Sequence, residues 1–373
     1  MKLHIFNPEH EIALAENKES FTLPHNVRRL RADLAYIPAL WAEDGDYVLV
    51  EDAEAARESY RRQKAAKAEV SFVTEKDLYI KNPGRVDIQP WGWDKAVAER
   101  VTAIAPEYAA AVPHPTAINT IREVANRGWA AENLLPKLTG GAIGGKTVGK
   151  AFVAHSAEKA AALVVETGDC VVKSPFSSSG RGVRYICAGN VSEPHNAGWI
   201  ANTVRRQGSI IVEPRYRKAM DFGMEFRVAK GGVVEYCGLS VFGTSGGSYT
   251  GNVVASEQYK EGLVTRYLPA EILGKARTAI QDTIAMELGW TYRGCFGMDM
   301  MVVCEKGEYR LHPCVEMNLR MTMGHVAIML AGGGEDTPAR AMSVAYNAGR
   351  FKLRIADTFE NIIDNSVIPA NWP

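Results

Sequence analysis

The sequence predicts an α/β protein, in which an N-terminal parallel-sheet domain precedes a two-lobed region of α+β character. Over the first 112 residues, short apolar strands alternate with helical segments, which is typical of a parallel sheet covered by helices. Later strands follow one another through short glycine turns, which is typical of hairpins. With 373 residues, 46% of them hydrophobic, the chain can form two or three domains.

Charge and cysteine content limit the class of protein. Lys plus Arg and Asp plus Glu both number 43, so no overall basic field favours nucleic acid or an anionic membrane. The amino terminus turns polar after a few residues, and no run of about 18 apolar residues occurs. The six cysteines form no C-x-x-C pair. We therefore expect a cytoplasmic protein that binds neither nucleic acid nor membrane.

The first domain is predicted over residues 1–112. Its elements alternate as a parallel sheet requires, because each strand must be followed by a crossover before the next parallel strand. The predicted strands are Lys2–Phe6, Tyr47–Val50, Val70–Thr74 and Val86–Gln89, and the predicted helices are Glu9–Glu16, Asn26–Leu34, Ala53–Ala68 and Asp94–Ile104.

The second region, residues 113–215, contains two glycine-rich segments. The first, Gly140–Thr147, satisfies the G-x-x-x-x-G-K-[ST] pattern of a phosphate-binding loop. That loop works only between a buried strand and a helix, whereas here the preceding residues contain Pro136 and no β-branched apolar run, and the following residues are interrupted by Gly149 and look extended. We therefore keep this interpretation as an alternative only.

The second glycine-rich segment follows the predicted strand Asp169–Lys173. Its small residues allow the backbone to fold over a phosphate tail and to offer N–H and O–H donors, while Lys173 supplies a cation. Such a loop is otherwise only a flexible turn. A later strand ends on Glu213, where a carboxylate can accept hydrogen bonds from a ribose or an adenine amino group. The small residues of the loop are Ser177, Ser178, Ser179, Gly180 and Gly182.

The third region, residues 216–373, begins with a strand that places Glu225 and Arg227 on one face. The segment Gly243–Asn252 is small and polar, and it is predicted to be a binding loop or flap. A helix is predicted over Glu271–Leu288, and a further helical region, broken by Gly332–Gly334, over Ala327–Arg350.

Two extended runs near the carboxyl end, Cys295–Cys304 and Tyr309–His325, predict a hairpin with Lys306 and Gly307 at its tip. In that register Asp299 lies opposite Cys314 and Glu316 is its diagonal neighbour on the same face, about 7 to 8 Å away. A three-residue loop would instead turn Asp299 to the apolar face.

The polar face of this hairpin has the chemistry of a metal site. Glu316, Asn318 and Arg320 alternate with apolar residues, so they share a face with Asp299. Carboxylate and amide oxygens suit Mg²⁺, and the planar guanidinium suits phosphate oxygens. The alternative is an ordinary solvated strand face. Mg²⁺ beside arginine indicates a nucleoside triphosphate.

Five motifs occur in sequence order: V-V-K-S-P-F-S-S-S-G-R-G-V, I-I-V-E-P, M-E-F-R-V, F-G-M-D-M-M-V-V and V-E-M-N-L-R. Together they resemble the ATP-grasp superfamily over about residues 113–330. The resemblance implies that Lys173 and the loop 177–182 contact the nucleotide phosphates and that Glu213 binds adenosine. It also implies two Mg²⁺ ions, ATP as cofactor, and an N-terminal domain of the kind that precedes such a core.

The resemblance assigns roles to further residues. Asp299, Glu316 and Asn318 match the Mg²⁺ ligands, and Arg320 and Arg227 match arginines near the transferred phosphate. The acceptor side is expected near Tyr249, Asn252 and His325. The chain departs from the family in lacking an early second lysine, for which Lys137, Lys146 and Lys150 are the candidates.

The predicted function is an ATP- and Mg²⁺-dependent ligase that joins a carboxylate to an amine through an acyl phosphate. The partners would be a small-molecule or peptide carboxylate and an amine acceptor. Two alternatives remain open: a kinase of the same fold, and a nucleotide-binding sensor without turnover. The sequence predicts neither the substrates nor the oligomeric state.

Overall fold

The computed structural model describes residues 1–63, 68–81, 86–104, 106–177, 182–332 and 338–357. Within these ranges the strands form three sheets, of four, seven and four strands. No helix of the described chain is both long and apolar enough to cross a membrane. The predicted domain boundaries stay a prediction, although the strands of each sheet fall within one of the three predicted regions.

The first sheet is parallel, with strand order β3-β2-β1-β4, as the alternation of strands and helices predicts. Each of its strands is followed in the chain by at least one helix. The strands are β1 (Lys2–Ile5), β2 (Tyr47–Leu49), β3 (Ser71–Val73) and β4 (Asp87–Pro90), and the helices are α1 (His10–Glu16), α2 (His25–Leu34), α3 (Ala53–Arg61), α4 (Glu75–Lys81) and α5 (Lys95–Ile104).

The second sheet is antiparallel, with order β5-β8-β6-β7. Ser156 caps the helix that follows it, since its side chain accepts a hydrogen bond from the Lys159 backbone N–H. The elements are α6 (Pro115–Val124), α7 (Arg127–Trp129), α8 (Leu135–Lys137), β5 (Phe152–Ala154), α9 (Ala157–Thr167), β6 (Asp169–Lys173), β7 (Val183–Cys187), α10 (Pro194–Gln207) and β8 (Ile210–Pro214).

The alternative phosphate-binding loop fails on its structural context. Residues Leu138–Ala142 form a π-helical turn that continues from α8, so no buried strand enters the segment. Thr147 bridges Leu311 in an isolated strand contact, and no helix follows. Lys146 is exposed. The backbone N–H groups are therefore not arranged around a common point as a phosphate requires.

The third sheet has seven antiparallel strands in the order β13-β12-β9-β10-β11-β14-β15. The hairpin predicted near the carboxyl end is confirmed, and Lys306 (φ 52°) and Gly307 (φ 83°) form its tip. The elements are β9 (Lys218–Val228), β10 (Val234–Ser245), β11 (Ser248–Val254), α11 (Glu257–Val264), α12 (Ala270–Leu288), β12 (Gly294–Glu305), β13 (Glu308–Asn318), α13 (Met323–Ala331), β14 (Arg340–Asn347) and β15 (Arg350–Ala356).

Two predictions in this third region were wrong. The segment Gly243–Asn252 is a hairpin of β10 and β11, not a loop, because Gly246 and Gly247 supply the positive φ of a tight turn and backbone pairing needs no apolar side chains. In the helical region predicted over Ala327–Arg350, α13 ends at Ala331, beside the predicted break, but the chain after the break forms the strand β14 instead of a helix. Pairing of β14 with both β11 and β15 overrides the helix propensity of its alanines.

Two apolar clusters position the site. Phe226 and Phe296 stack with ring centroids 5.0 Å apart in the core between the third sheet and α12. A second cluster joins the first sheet to α13, because Phe6 and Trp91 pack with Val326. The carboxyl ends of β1 and β4 are thereby held against the start of α13.

Candidate active site

Asp299 and Glu316 face each other across β12 and β13. The prediction that Asp299 lies opposite Cys314 was wrong, because Asp299 pairs directly with Glu316. A bulge lies between this pair and the hairpin tip, and there β13 has two residues more than β12. The bulged stretch contains Pro313, which has no backbone N–H to donate to the ladder. A shift of two residues keeps both carboxylates on one face.

Two neighbours complete this acidic face. Asn318 Nδ2 donates a hydrogen bond to Asp299 Oδ2 at 3.0 Å. Glu225, on the adjacent strand β9, is 2% exposed. A Cβ at Gly297 would lie 2.5 Å from Glu225 Oε2, and one at Gly324 would lie 2.0 Å from Oε1. The two glycines therefore leave the space in which the Glu225 carboxylate fits.

The electrostatics of this face fit a bound cation. Burial, followed by the charges of Glu316 and Glu225, raises the pKa of Asp299 well above its ordinary value. Within the described ranges, no three His, Cys, Asp or Glu side chains form a preformed metal cage. Mg²⁺ typically takes one or two carboxylates together with substrate phosphates, so two carboxylates and an amide oxygen suit it.

Arg127 is a functional candidate that sequence reasoning missed. It begins α7, and its side chain lies between the predicted phosphate loop and the acidic face. Nη1 donates to Ser174 O (2.7 Å) and to Ser177 Oγ (2.8 Å), while Nη2 donates to Ser177 O (2.8 Å) and to Glu316 Oε1 (2.6 Å). Burial disfavours its charge, but Glu316 and other carboxylates raise its pKa. In the sequence, Arg127 is a single arginine in N-R-G-W, and no local pattern there distinguishes it from an ordinary surface arginine.

Lys173 and Glu213, both predicted to contact the nucleotide, form an ion pair with each other. Lys173 Nζ is 2.7 Å from Glu213 Oε2 and donates to Val315 O at 3.2 Å, which joins the second sheet to β13. Burial raises the pKa of Glu213, although Lys173 and Arg127 oppose this. A nucleotide that uses both side chains must therefore compete with their mutual contact.

The loop after Lys173 is closed by its own backbone. Ser174 N donates to Gly182 O at 2.8 Å. A Cβ at Gly182 would lie 1.9 Å from Ser174 Oγ, so only glycine fits there. Ser177 contacts Arg127. Three other residues predicted to contact phosphate, Ser178, Ser179 and Gly180, lie outside the described residues.

The two predicted catalytic arginines differ in their surroundings. Arg320 lies beside the acidic face: its Nη2 donates to Asn318 Oδ1 at 2.8 Å and its Nε donates to Glu11 Oε1 at 3.0 Å. Glu11 belongs to α1 of the first domain, so Arg320 joins the two regions. Arg227 is exposed, two residues along β9 from Glu225 and on the same face.

Of the three predicted substrate residues, His325 contacts Glu225, and Tyr249 is bonded to Asn252. His325 Nδ1 is 3.0 Å from Glu225 Oε2, and burial opposes its charge, yet this carboxylate raises the pKa of His325 well above its ordinary value. Asn252 is 1% exposed and accepts a hydrogen bond from the Tyr249 hydroxyl. Burial and Glu225 raise the pKa of Tyr249. His325 and Asn252 are thus both buried, and His325 contacts the acidic face through Glu225.

The lysines considered as replacements lie elsewhere. Lys137 pairs with Glu287 of α12, and Lys146 and Lys150 are exposed. Arg127 is instead the cation that the described structure places between the phosphate loop and Glu316.

Comparisons with known proteins identify the fold. No protein-family model and no curated protein sequence matches the chain. Among solved structures, N5-carboxyaminoimidazole synthetase from Staphylococcus aureus is similar with a TM-score of 0.50 and 12% identity over 93% of this chain and 83% of that one. Biotin carboxylase from Campylobacter jejuni is similar with a TM-score of 0.50 and 15% identity over 94% and 77%.

A third structure agrees with these two. The biotin carboxylase domain of Hydrogenobacter thermophilus 2-oxoglutarate carboxylase has a TM-score of 0.50 and 15% identity over 92% of this chain and 74% of that one. All three are ATP-grasp proteins, and their mixture of parallel and antiparallel sheets matches that described above. The protein therefore has the ATP-grasp fold.

Proposed function

We propose that this protein is an ATP- and Mg²⁺-dependent ligase that joins a carboxylate to an amine through an acyl phosphate. The observation that carries the proposal is the acidic face, where Asp299 lies opposite Glu316 with Asn318 and Arg320 beside them. Asp299 is a buried carboxylate whose pKa is raised by burial and by its carboxylate neighbours, so a divalent cation would offset the charge there. Solved structures of similar fold are described with ADP or MgADP, which supports a nucleotide beside this face.

Nucleotide binding is assigned to the cleft between the second sheet and β13. Lys173, Ser177 and Gly182 would hold the phosphates, together with Ser178, Ser179 and Gly180, and Glu213 would bind the adenosine part. The similar Staphylococcus aureus synthetase is described with ADP, and the Hydrogenobacter thermophilus domain with MgADP and bicarbonate. These ligands support the assignment by analogy of fold.

The metal would be held by Asp299, Glu316 and Asn318. When bound, Mg²⁺ offsets negative charge on the phosphate oxygens. Arg320 is fixed beside this face by Glu11 and Asn318, so its guanidinium is oriented before a ligand arrives. Arg227 lies farther along the same face and is free to reach a transferred phosphoryl group, since its side chain is exposed.

The chemistry consists of two displacements. A carboxylate oxygen of the substrate attacks the γ-phosphorus, and ADP leaves. An amine nitrogen then attacks the acyl carbon, phosphate leaves with the bridging oxygen, and the nitrogen gives up a proton. The protein's part is to position the groups and to stabilise charge, so it needs no nucleophilic side chain. Tyr249, Asn252 and His325 are assigned to the acceptor side of the site.

Trapping of the acyl phosphate tests the proposal. The protein is incubated with ATP, Mg²⁺ and mixtures of carboxylates, with hydroxylamine as the amine, and the hydroxamate is measured by mass. We expect a hydroxamate and ADP, and no hydroxamate from Glu316→Gln. Glu308→Gln is the matched control, since Glu308 lies on the same strand with its side chain 77% exposed. A stable phosphorylated product would instead indicate a kinase, and nucleotide binding without ADP formation would indicate a sensor.

A further inference from the structure

The first part of the predicted phosphate loop, Ser174–Ser177, is held by hydrogen bonds to its carbonyl oxygens, and we call it the loop stem. Arg127 bonds three of the four carbonyls: its backbone N–H donates to Pro175 O at 3.2 Å, and its guanidinium donates to the first and the last, at 2.7 and 2.8 Å. A loop that binds an anion presents N–H groups to it, so its carbonyls must bond elsewhere. The fourth carbonyl, that of Phe176, therefore needs a donor of its own.

Gln207 bonds both backbone polar groups of Phe176. Phe176 N donates to Gln207 Oε1 at 2.9 Å, and Gln207 Nε2 donates to Phe176 O at 3.3 Å. A primary amide side chain carries a donor and an acceptor in one planar group, so it can pair with a residue's N–H and C=O as a neighbouring strand would. The two bonds fix the orientation of the peptide groups on either side of Phe176.

The chain places Gln207 beside the loop stem through the end of α10. Gln207 is the last residue of this helix and is half-buried, and Gly208 follows with a φ of 84°, which ends the helix. The strand β8 begins two residues later and pairs with β6, so that Ile211 lies opposite Lys173. Since Lys173 directly precedes the loop stem, the end of α10 lies next to it.

The ring of Phe176 is held separately from its backbone. Phe176 is 3% exposed and belongs to the core between the third sheet and α12. The Arg122 guanidinium lies 5.0 Å from the centroid of its ring, and Arg122 Nε donates to Leu14 O at 2.7 Å. Removing the Gln207 amide therefore frees the peptide groups of the loop stem while the ring remains packed.

We propose that Gln207 is a positioning residue for the nucleotide phosphates. It acts through Phe176, by keeping the loop stem in the conformation that presents Ser177 to the nucleotide. A loop that is ordered beforehand loses less conformational freedom when its ligand binds. The proposal rests on the assignment of this loop to the phosphates in the proposed function. The adenosine part is assigned to Glu213, so Gln207 acts on phosphate binding alone.

Calorimetry with ADP and Mg²⁺, and separately with adenosine, tests this role. Gln207→Met keeps the length of the side chain but removes both hydrogen bonds. We expect it to weaken ADP binding about tenfold and to leave adenosine affinity unchanged within about twofold. A role in stability alone would not separate the two ligands. Gln281→Met is the matched control and should bind both ligands like the wild type, since Gln281 Nε2 also donates to a backbone carbonyl, Val234 O at 2.7 Å, but lies in α12.

Gln207→Glu provides a second variant, which keeps an acceptor for Phe176 N but places an oxygen against Phe176 O. It should weaken ADP binding at least about tenfold. Unchanged ADP affinity in both variants, an equal loss of ADP and adenosine affinity, or no binding of ADP by the wild type would overturn the proposal. The expected loss in a protein that forms no hydroxamate would uphold the role of Gln207 and refute the ligase. Hydroxamate formation by the wild type, with unchanged ADP affinity in both variants, would do the reverse.

Discussion

Replacing Arg127 by methionine removes the cation that joins the phosphate loop to the acidic face. The guanidinium donates four hydrogen bonds of 2.6 to 2.8 Å, one of them to Glu316. Removing one partner of a buried ion pair costs about 3–5 kcal/mol, because the other charge is left buried. The Arg127 side chain is 7% exposed, but that of Glu316 is 23% exposed. We therefore expect a loss near the lower end, about 3 kcal/mol.

A double-mutant cycle with Glu316→Gln isolates the ion pair. The free energy of unfolding is measured by urea titration for the wild type, both single variants and the double variant, without Mg²⁺. Because Glu316→Gln removes the charge that Arg127→Met orphans, the double variant should lose less than the sum of the single losses, by about 1.5–3 kcal/mol.

Additive losses, agreeing within about 0.5 kcal/mol, would refute the reasoning, since they would mean that Arg127 and Glu316 do not interact. Mg²⁺ supplies an independent check. In Arg127→Met the Glu316 carboxylate has lost its competing partner, so Mg²⁺ should stabilise this variant more than the wild type.

Three further predictions concern single side chains. Gly182→Ala should weaken ATP binding at least about tenfold in calorimetry, because the new Cβ would lie 1.9 Å from Ser174 Oγ, whereas Gly145→Ala, with nothing within 4 Å, should have no effect. Asp299→Asn should stabilise the metal-free protein towards urea at neutral pH: the pKa of Asp299 is raised by folding, so stability falls as pH rises from about 3.9 towards the folded pKa. His325→Gln should destabilise the protein by about 3 kcal/mol at pH below about 6.5, and less at alkaline pH, because a raised histidine pKa contributes stability that is lost as pH rises through it.

The hairpin shows what the sequence can predict and where it fails. Lys306 and Gly307 fix a two-residue turn, and the side-chain period of two then assigns Asp299 and Glu316 to one face. The bulge at Pro313 moved the register by two residues, which preserves the parity and so the face, but changes the residue that lies opposite Asp299. Local chemistry can suggest a bulge at proline, but it does not give the number of extra residues in the bulge.

Residues that act through contacts far apart in sequence were beyond prediction. Arg127 and Glu316 are 189 residues apart, and Arg320 and Glu11 are 309 residues apart. Neither pair has a local pattern that distinguishes it from ordinary surface charges. The Gly243–Asn252 hairpin was missed for a different reason, since its polar and small residues satisfy a sheet through backbone pairing alone.

The acidic face also has a pH dependence that follows from its charges. Glu225 is paired with His325, and Glu316 with Arg127, whereas Asp299 has no ion pair in the described part of the chain and is hydrogen-bonded to the neutral Asn318 amide. Burial, followed by the charges of Glu316 and Glu225, raises the pKa of Asp299, and the hydrogen bond from Asn318 only partly offsets this. A proton on Asp299 must leave before Mg²⁺ can bind there, so Mg²⁺ affinity should rise with pH over a range above that of an ordinary carboxylate.

Titration of Mg²⁺ by calorimetry at a series of pH values between about 5 and 8 measures this directly, and binding should release protons into the buffer. Glu316→Gln removes one of the charges that raise the pKa of Asp299, so the rise in affinity should move to lower pH in that variant, although the affinity itself is weaker. An Mg²⁺ affinity that is the same at every pH, in both proteins, would mean that Asp299 is already ionised or is not a ligand. The distinction matters for the ligase, because a protonated Asp299 would leave the metal with Glu316 as its only carboxylate of this pair.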